Sequence, residues 1–184
     1  MTHAKARKWL NVIHDDVRDL YIRNDLFWQL QRVLNDNDQL ANSQNIFLFW
    51  VNSLFIESIT MAIRRQLDQG DDCISLRALL VRLSTNPEIT AGSVELVEIK
   101  ADIDGLVTSA RTLRGYADRR VAHKDYRDLQ DGTPTFRDVT ESIGRFCTLV
   151  NKYSLAVCDG MLSPLPPARA EAWKEIFKFP WVSA

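Results

Sequence analysis

The stretch SVELVEIKADIDGLVTSARTLRGYADRRVA, residues 93–122, decides the fold of this chain. Its apolar residues recur at steps of three and four, which predicts one long amphipathic helix with Ser93 as its N-cap. The apolar stripe consists of Leu96, Ile99, Ile103, Leu106, Val107, Ala110, Leu113 and Ala117. A helix with such a stripe is stable only when other elements cover it, so the pattern favours a helical bundle.

The same spacing continues on both sides of this stretch. It predicts helices over about residues 5–36, 42–68, 76–83, 135–161 and 167–177, with N-caps at Ser75 and Thr135. Glycine and proline are scarce, at 7 and 6 residues, which is typical of long helices with few connections. We therefore predict an all-α fold, an up-and-down bundle of four main helices with short additional helices. Residues 1–162 would form the bundle, and 163–184 a Pro-rich linker with a C-terminal helix or tail packing on the same domain.

The most apolar segment is IFLFWVNSLFIESITMAI, residues 46–63. It is long enough to suggest a membrane span, but Glu57 lies within it, and a carboxylate inside a bilayer is unfavourable. We expect the segment to be the central buried helix of the bundle. Glu57 should then either pair with a buried arginine or face an interface. Arg64, Arg65 and Asp68, just beyond it, are expected to form an ion pair at the helix end or to hold the following loop.

The cysteines do not indicate a disulfide scaffold or a zinc site. Cys73, Cys147 and Cys158 are widely spaced, with no CxxC pair. A reduced, cytoplasmic setting is expected. The sequence also contains no phosphate-binding loop and no Rossmann glycines, so we expect no cofactor. His14-Asp15-Asp16 has no second carboxylate or histidine cluster to complete a metal site, so we expect no metal. The interrupted apolar segment leads us to expect no membrane partner.

Charge is unevenly spread along a chain whose formal net charge is −1. Residues 111–127, RTLRGYADRRVAHKDYR, contain six basic and two acidic side chains, which leaves +4 there and −5 elsewhere. Near neutrality overall argues against a protein that coats nucleic acid by bulk charge. A single local anion site remains compatible with this distribution.

This basic stretch contains His123, one of three histidines in the chain. A histidine can transfer a proton near neutral pH, and arginine can bind phosphate through two hydrogen bonds. An aromatic ring beside them could stack on a base. The candidate catalytic residues are His123, Arg119, Arg120 and Asp125, and the candidate binding residues are Arg114, Tyr116, Lys124, Tyr126 and Arg127. The alternative is a solvated helix end whose cations interact with the helix dipole.

The order of short motifs in this chain resembles the HEPN superfamily, and most closely its AbiU-type branch. The resemblance rests on residues 113–125, LRGYADRRVAHKD, with support from Phe49-Trp50, residues 64–68, residues 74–80 and the tail around Trp173 and Trp181. It implies a helical bundle that dimerises and, in active members, cleaves RNA without a metal as part of a prokaryotic defence or toxin–antitoxin system. The partners it implies are a second copy, RNA, and a cognate antitoxin or a nucleotidyltransferase that modifies a tyrosine after the histidine.

One position departs from the Arg-x(4–6)-His motif that active members carry. With His123 as the histidine, the arginine is expected at Ala117, Tyr116 or Asp118, and none of these is an arginine. Arg119 or Arg120 could supply the charge from a shifted position, or the protein could have lost catalysis and kept a binding or dimerising role. An engineered alanine at position 117 is the third explanation.

Overall fold

The structure, a computed structural model, describes residues 1–36, 46–70, 72–123, 132–158 and 162–165. In these ranges the protein is all-α, as predicted, with six α-helices and no strand. The helices are α1 (His3–Asn35), α2 (Ile46–Gln66), α3 (Leu76–Thr85), α4 (Leu96–Ser109), α5 (Arg111–Tyr116) and α6 (Phe136–Val157). A 3-10 turn, Pro87–Thr90, precedes α4, and a π-helical segment, Ala117–Val121, follows α5.

Two of the predicted helix starts are confirmed by their capping hydrogen bonds. The Ser75 hydroxyl accepts from the Ala78 N–H at 3.0 Å and so begins α3. Thr135 and Asp138 form the predicted capping box at the start of α6. Helix α1 runs unbroken past Asn24, which is buried. The bundle core lies between α1, α3, α4, α6 and the last two turns of α2, and α1 packs along α6 most extensively.

The expectation that residues 46–63 form a central buried helix is wrong for the first half of α2. The buried residues of α2 all lie in its last two turns: Ile59, Thr60, Ala62, Ile63 and Gln66. By contrast, Ile46 is 84% exposed, Phe49 74% and Trp50 54%. Within the described residues, α2 is the one helix long and apolar enough to cross a membrane, a criterion that core helices of soluble proteins also meet.

The single long helix predicted over residues 93–122 is in fact divided. Its N-cap is Glu95, which forms a capping box with Glu98, and not Ser93. The helix breaks at Ala110, whose backbone leaves helical geometry with φ −113° and ψ 11°. After the short α5, the chain widens into the π-helical segment, closed by a 2.9 Å bond from the Ala122 N–H to the Ala117 carbonyl. The apolar residues keep their three- and four-residue steps across the break at Ala110 and into the π-helical segment, so their spacing could not indicate either feature.

A buried polar network ties α4 to α6. Asp102 is 8% exposed and accepts hydrogen bonds from Arg145 at 2.9 Å, Lys152 at 2.8 Å and the Tyr153 hydroxyl at 3.0 Å. Burial, then the charge of Asp102 and its hydrogen bond, raise the pKa of Tyr153 well above its ordinary value. The network therefore fixes the register between the two helices with polar contacts in an otherwise apolar core.

The start of the Pro-rich linker is anchored on the bundle. The Asn151 side chain pairs with both backbone groups of Leu165, at 2.6 and 3.0 Å, and Leu165 is buried. The buried His14 ring lies 2.7 Å from the carbonyl oxygen of Ser163. The helix predicted over 167–177 lies outside the described residues, and the proposed packing of the tail stays a prediction.

Candidate functional site

Arginines from two helices meet at one aspartate. Arg64, near the end of α2, hydrogen-bonds the Asp118 carboxylate through its Nε atom, and its Nη1 atom lies 3.4 Å from Asp68. Arg114, on α5, places its Nε atom 3.7 Å from the other oxygen of Asp118. The hydrogen bond to Asp118 is the main reason why the pKa of Arg64 is raised. The ion pair predicted between Arg64 and Asp68 is therefore present, and Asp118 extends it across to the basic stretch.

A third arginine, Arg77 on α3, borders the same cluster. Its Nη1 atom donates to the Leu67 carbonyl at 3.3 Å, and the Gln69 amide, with its oxygen turned toward the guanidinium, accepts from Nε at 3.1 Å. Burial and then repulsion from Arg114 lower the pKa of Arg77. We call Arg64, Arg77 and Arg114 the arginine cluster. Arg64 and Arg114 face Asp118, and Arg64 also faces Asp68, while Arg77 bonds the Leu67 carbonyl and Gln69. Three arginines against two carboxylates leave the cluster a net positive charge that suits an anion.

Ala117 points into the protein core and is fully buried. The motif arginine expected at this position would therefore enter the core beside α2 and not the solvent. The π-helical turn contributes to this arrangement, because its wider repeat alters which side chains lie one turn apart. Arg119 and Arg120 lie within the π-helical segment, so they do not have the α-helical spacing that would place them one turn before His123.

The other candidates from the basic stretch divide into two groups. His123 and Arg120 are exposed, whereas Arg119, Tyr116 and Arg114 are half-buried. Lys124, Asp125, Tyr126 and Arg127 lie outside the described residues, and their proposed roles remain predictions. His123 is thus an exposed imidazole two residues after the π-helical segment, in the same basic stretch as Arg114 and Asp118.

A groove of about 230 Å³ lies between α2 and α5. Its lining consists of Phe49, Asn52, Ser53, Ile56, Glu57 and Tyr116. Glu57 is exposed, and among the described residues none forms an ion pair with it, so the predicted pairing with a buried arginine is not found there. Tyr116 was a candidate binding residue, while Phe49, Asn52 and Glu57 had no assigned part in a site.

Sequence reasoning also missed the contribution of Arg64 and Arg77 to the site. The sequence feature that could have indicated this contribution is Asp118, an acidic residue among arginines that can form an ion pair with an arginine from another helix. Spacing along one helix cannot show that this partner comes from α2. The part of the chain that the structure describes holds no group of three or more histidine, cysteine or carboxylate side chains placed to share a metal ion.

Comparison with known proteins agrees with the motif order. A family model described as AbiU2, of the HEPN group, matches residues 4–176, which is nearly the whole chain. No curated protein and no solved structure matches the chain. The match extends from α1 through the arginine cluster and His123 into the tail. The chain therefore belongs to the AbiU2 family of HEPN domains.

Proposed function

We propose that this protein binds RNA at the arginine cluster and, as a homodimer, cleaves it without a metal ion in a prokaryotic defence or toxin–antitoxin system. The observation that carries the proposal is that Arg64 and Arg114 meet at Asp118, beside the segment that leads to His123. Arg77 adds a further positive charge that repels Arg114. Guanidinium groups suit the phosphate backbone because they donate in a planar fork. A cytoplasmic location fits such a substrate.

The proposed chemistry uses the ribose itself as the nucleophile. His123 accepts the proton of a ribose 2′-hydroxyl, which attacks the adjacent phosphorus while the bond to the 5′-oxygen of the next nucleotide breaks. The arginines stabilise the charge that develops on the phosphate oxygens. The departing 5′-oxygen takes a proton from water, and the imidazolium of His123 returns its proton to solvent. The products are a 2′,3′-cyclic phosphate and a 5′-hydroxyl. Arg119 and Arg120 are proposed to bind phosphate near His123, and Asp125 to orient the imidazole.

The apolar half of α2 supports the dimer. Ile46, Phe49, Trp50 and Leu54 are exposed large apolar side chains along about two turns of one helix. Contiguous exposed apolar surface of this kind marks interaction sites. The patch borders the groove that contains Tyr116, so a second copy docked there would bring two basic stretches close together. An antitoxin or a nucleotidyltransferase remains a proposed further partner.

Cleavage is tested with purified protein and total RNA in EDTA. Wild-type protein is expected to generate fragments with cyclic phosphate ends, and His123→Ala to lose this activity. His3→Ala is the matched control, because His3 is also exposed but lies at the start of α1. Equal cleavage by wild type and His123→Ala would contradict the assignment of His123.

The dimer is tested by light scattering on size-fractionated protein. Trp50→Glu places a charge in the centre of the apolar patch and is expected to give a monomer. Val97→Glu is the control, since Val97 is 74% exposed on α4, away from the patch. A wild-type monomer, or a Trp50→Glu dimer of unchanged stability, would overturn the proposed interface.

A second candidate function is a non-catalytic dimeric interaction module. Ala117 favours it, because the motif position lacks an arginine and its side chain lies in the core. This candidate predicts a stable oligomer with a protein partner and no RNA cleavage. Cleavage by the wild type that is lost in His123→Ala therefore separates the two functions.

A further inference from the structure

The groove between α2 and α5 combines an aromatic wall with polar groups. Tyr116, which lies outside the proposed dimer patch, supplies ring surface, and Asn52, Ser53 and Glu57 supply hydrogen-bonding atoms around a volume of about 230 Å³. Stacking surface next to a few hydrogen-bonding groups is the arrangement that proteins use for unpaired bases of RNA.

Glu57 has no evident structural reason to be where it is. It is the one charged residue within the 18-residue apolar segment 46–63. It is exposed, and none of the described residues pairs with it. An ionised carboxylate only accepts hydrogen bonds, so Glu57 would select a ligand edge that presents donors.

Asn52 adds a hydrogen-bond donor, which the Glu57 carboxylate cannot supply. Its Oδ1 atom accepts from Gln31 at 2.9 Å, which orients the amide and leaves its Nδ2 atom as a donor. A carboxylate acceptor and an amide donor in one groove match the Watson–Crick edge of guanine, which presents two adjacent N–H groups and one carbonyl oxygen. Adenine and cytosine each present a single amino group beside a ring nitrogen that would face the carboxylate unfavourably.

The groove also lies in line with the arginine cluster. Glu57 and Arg64 are seven residues apart, so they lie on the same side of α2 about 10 Å from each other. On the opposite wall, Tyr116 lines the groove, and Asp118, two residues later, bonds Arg64. A strand whose phosphate contacts the cluster can therefore place a neighbouring base in the groove.

We propose that the groove lined by Tyr116, Asn52 and Glu57 binds a guanine base of single-stranded RNA, with Glu57 as the residue that determines specificity. The proposal rests on the proposed RNA-binding function and adds the base that the site selects. The carboxylate accepts from the N1 and N2 groups of guanine, and the Tyr116 ring stacks on the base. One such two-bond contact corresponds to about tenfold discrimination against other bases.

The test measures binding of short single-stranded RNAs that differ at one position, carrying guanine, inosine or adenine. Inosine keeps the N1 donor and lacks the N2 amino group. Wild-type protein should bind the guanine RNA about tenfold more tightly than the adenine RNA, with inosine between them. Glu57→Gln should reduce the preference to about twofold or less while the affinity for the adenine RNA stays within about twofold. Tyr116→Phe should keep the preference.

The control variant is Glu141→Gln, because Glu141 is an exposed carboxylate on α6 that pairs with Arg137. It should leave affinity and base preference unchanged. Tight binding by wild type without guanine preference, or a preference that Glu57→Gln retains, would overturn the base pocket and leave the RNA site intact. No binding of any of the three RNAs would refute the proposed function and the pocket with it.

Discussion

Ala117→Arg places an arginine at the position where the motif requires one, but the structure predicts that this substitution destabilises the protein. The Ala117 side chain is fully buried, so a longer side chain must displace its neighbours, and its guanidinium would lack solvent. Overpacking a core contributes about 1–3 kcal/mol of destabilisation, and an unpaired buried charge adds several more. We expect Ala117→Arg to lose about 3–5 kcal/mol of unfolding free energy, which lowers Tm by roughly 10 °C in a chain of this size.

The assay is thermal and urea unfolding followed by circular dichroism. Ala122→Arg is the matched control, because Ala122 is exposed five residues later, at the end of the π-helical segment. It should change the unfolding free energy by no more than about 0.5 kcal/mol. A loss below about 1 kcal/mol for Ala117→Arg would refute the reasoning. It would mean that the π-helical turn rearranges and lets the arginine reach the surface.

Further predictions concern the core network, the buried thiol and the acid of the arginine cluster. Asp102→Ala should lower the free energy of unfolding in urea by about 3 kcal/mol, because it leaves Arg145 and Lys152 without their shared carboxylate. Asp104→Ala, at an exposed neighbouring position, should leave it unchanged. Equal unfolding free energies for the two variants would contradict the network. Burial raises the pKa of Cys147 to about 11, so its thiol stays neutral in the folded protein, and stability should fall as pH rises from about 9 through 11. At pH 8 a thiol reagent should label the half-buried Cys73 and leave Cys147 unmodified until urea is added; rapid labelling of both would contradict this. Asp118→Asn should strengthen RNA binding, since it removes a negative charge from the cluster; a weaker complex would show that Asp118 instead positions the arginines.

Much of the fold could be predicted because helical spacing and caps are local signals. Ser75, Thr135 and Asp138 identify helix starts from three or four residues of sequence, and the structure contains those caps. The break at Ala110 left no such signal, because alanine favours an unbroken helix. Asp102 did leave a signal in the sequence, because it interrupts an apolar stripe. Its three partners could not be predicted, since they lie more than 40 residues away along the chain.

The exposure of α2 could not be predicted for a related reason. Composition shows that a segment is apolar, but not whether the protein's own core or another molecule covers it. Trp50 and Ile63 have similar apolar character, and only packing distinguishes the exposed tryptophan from the buried isoleucine. The candidate site follows the same division. The sequence localised charge around His123, whereas the contact between Arg64 and Asp118 depends on how α2 packs against the π-helical segment.

The measurement that most directly tests the central claim is the salt dependence of RNA affinity for wild type and Arg114→Gln. If the arginine cluster contacts phosphate, log affinity falls linearly with log salt, and Arg114→Gln weakens binding to all sequences while lowering the slope by about 1. Arg137→Gln serves as the control, since Arg137 is a more exposed arginine (85%) on α6. Of the two variants, only Arg114→Gln should reduce the slope of log affinity against log salt. Equal slopes for wild type and both variants, or no RNA binding by wild type, would contradict it.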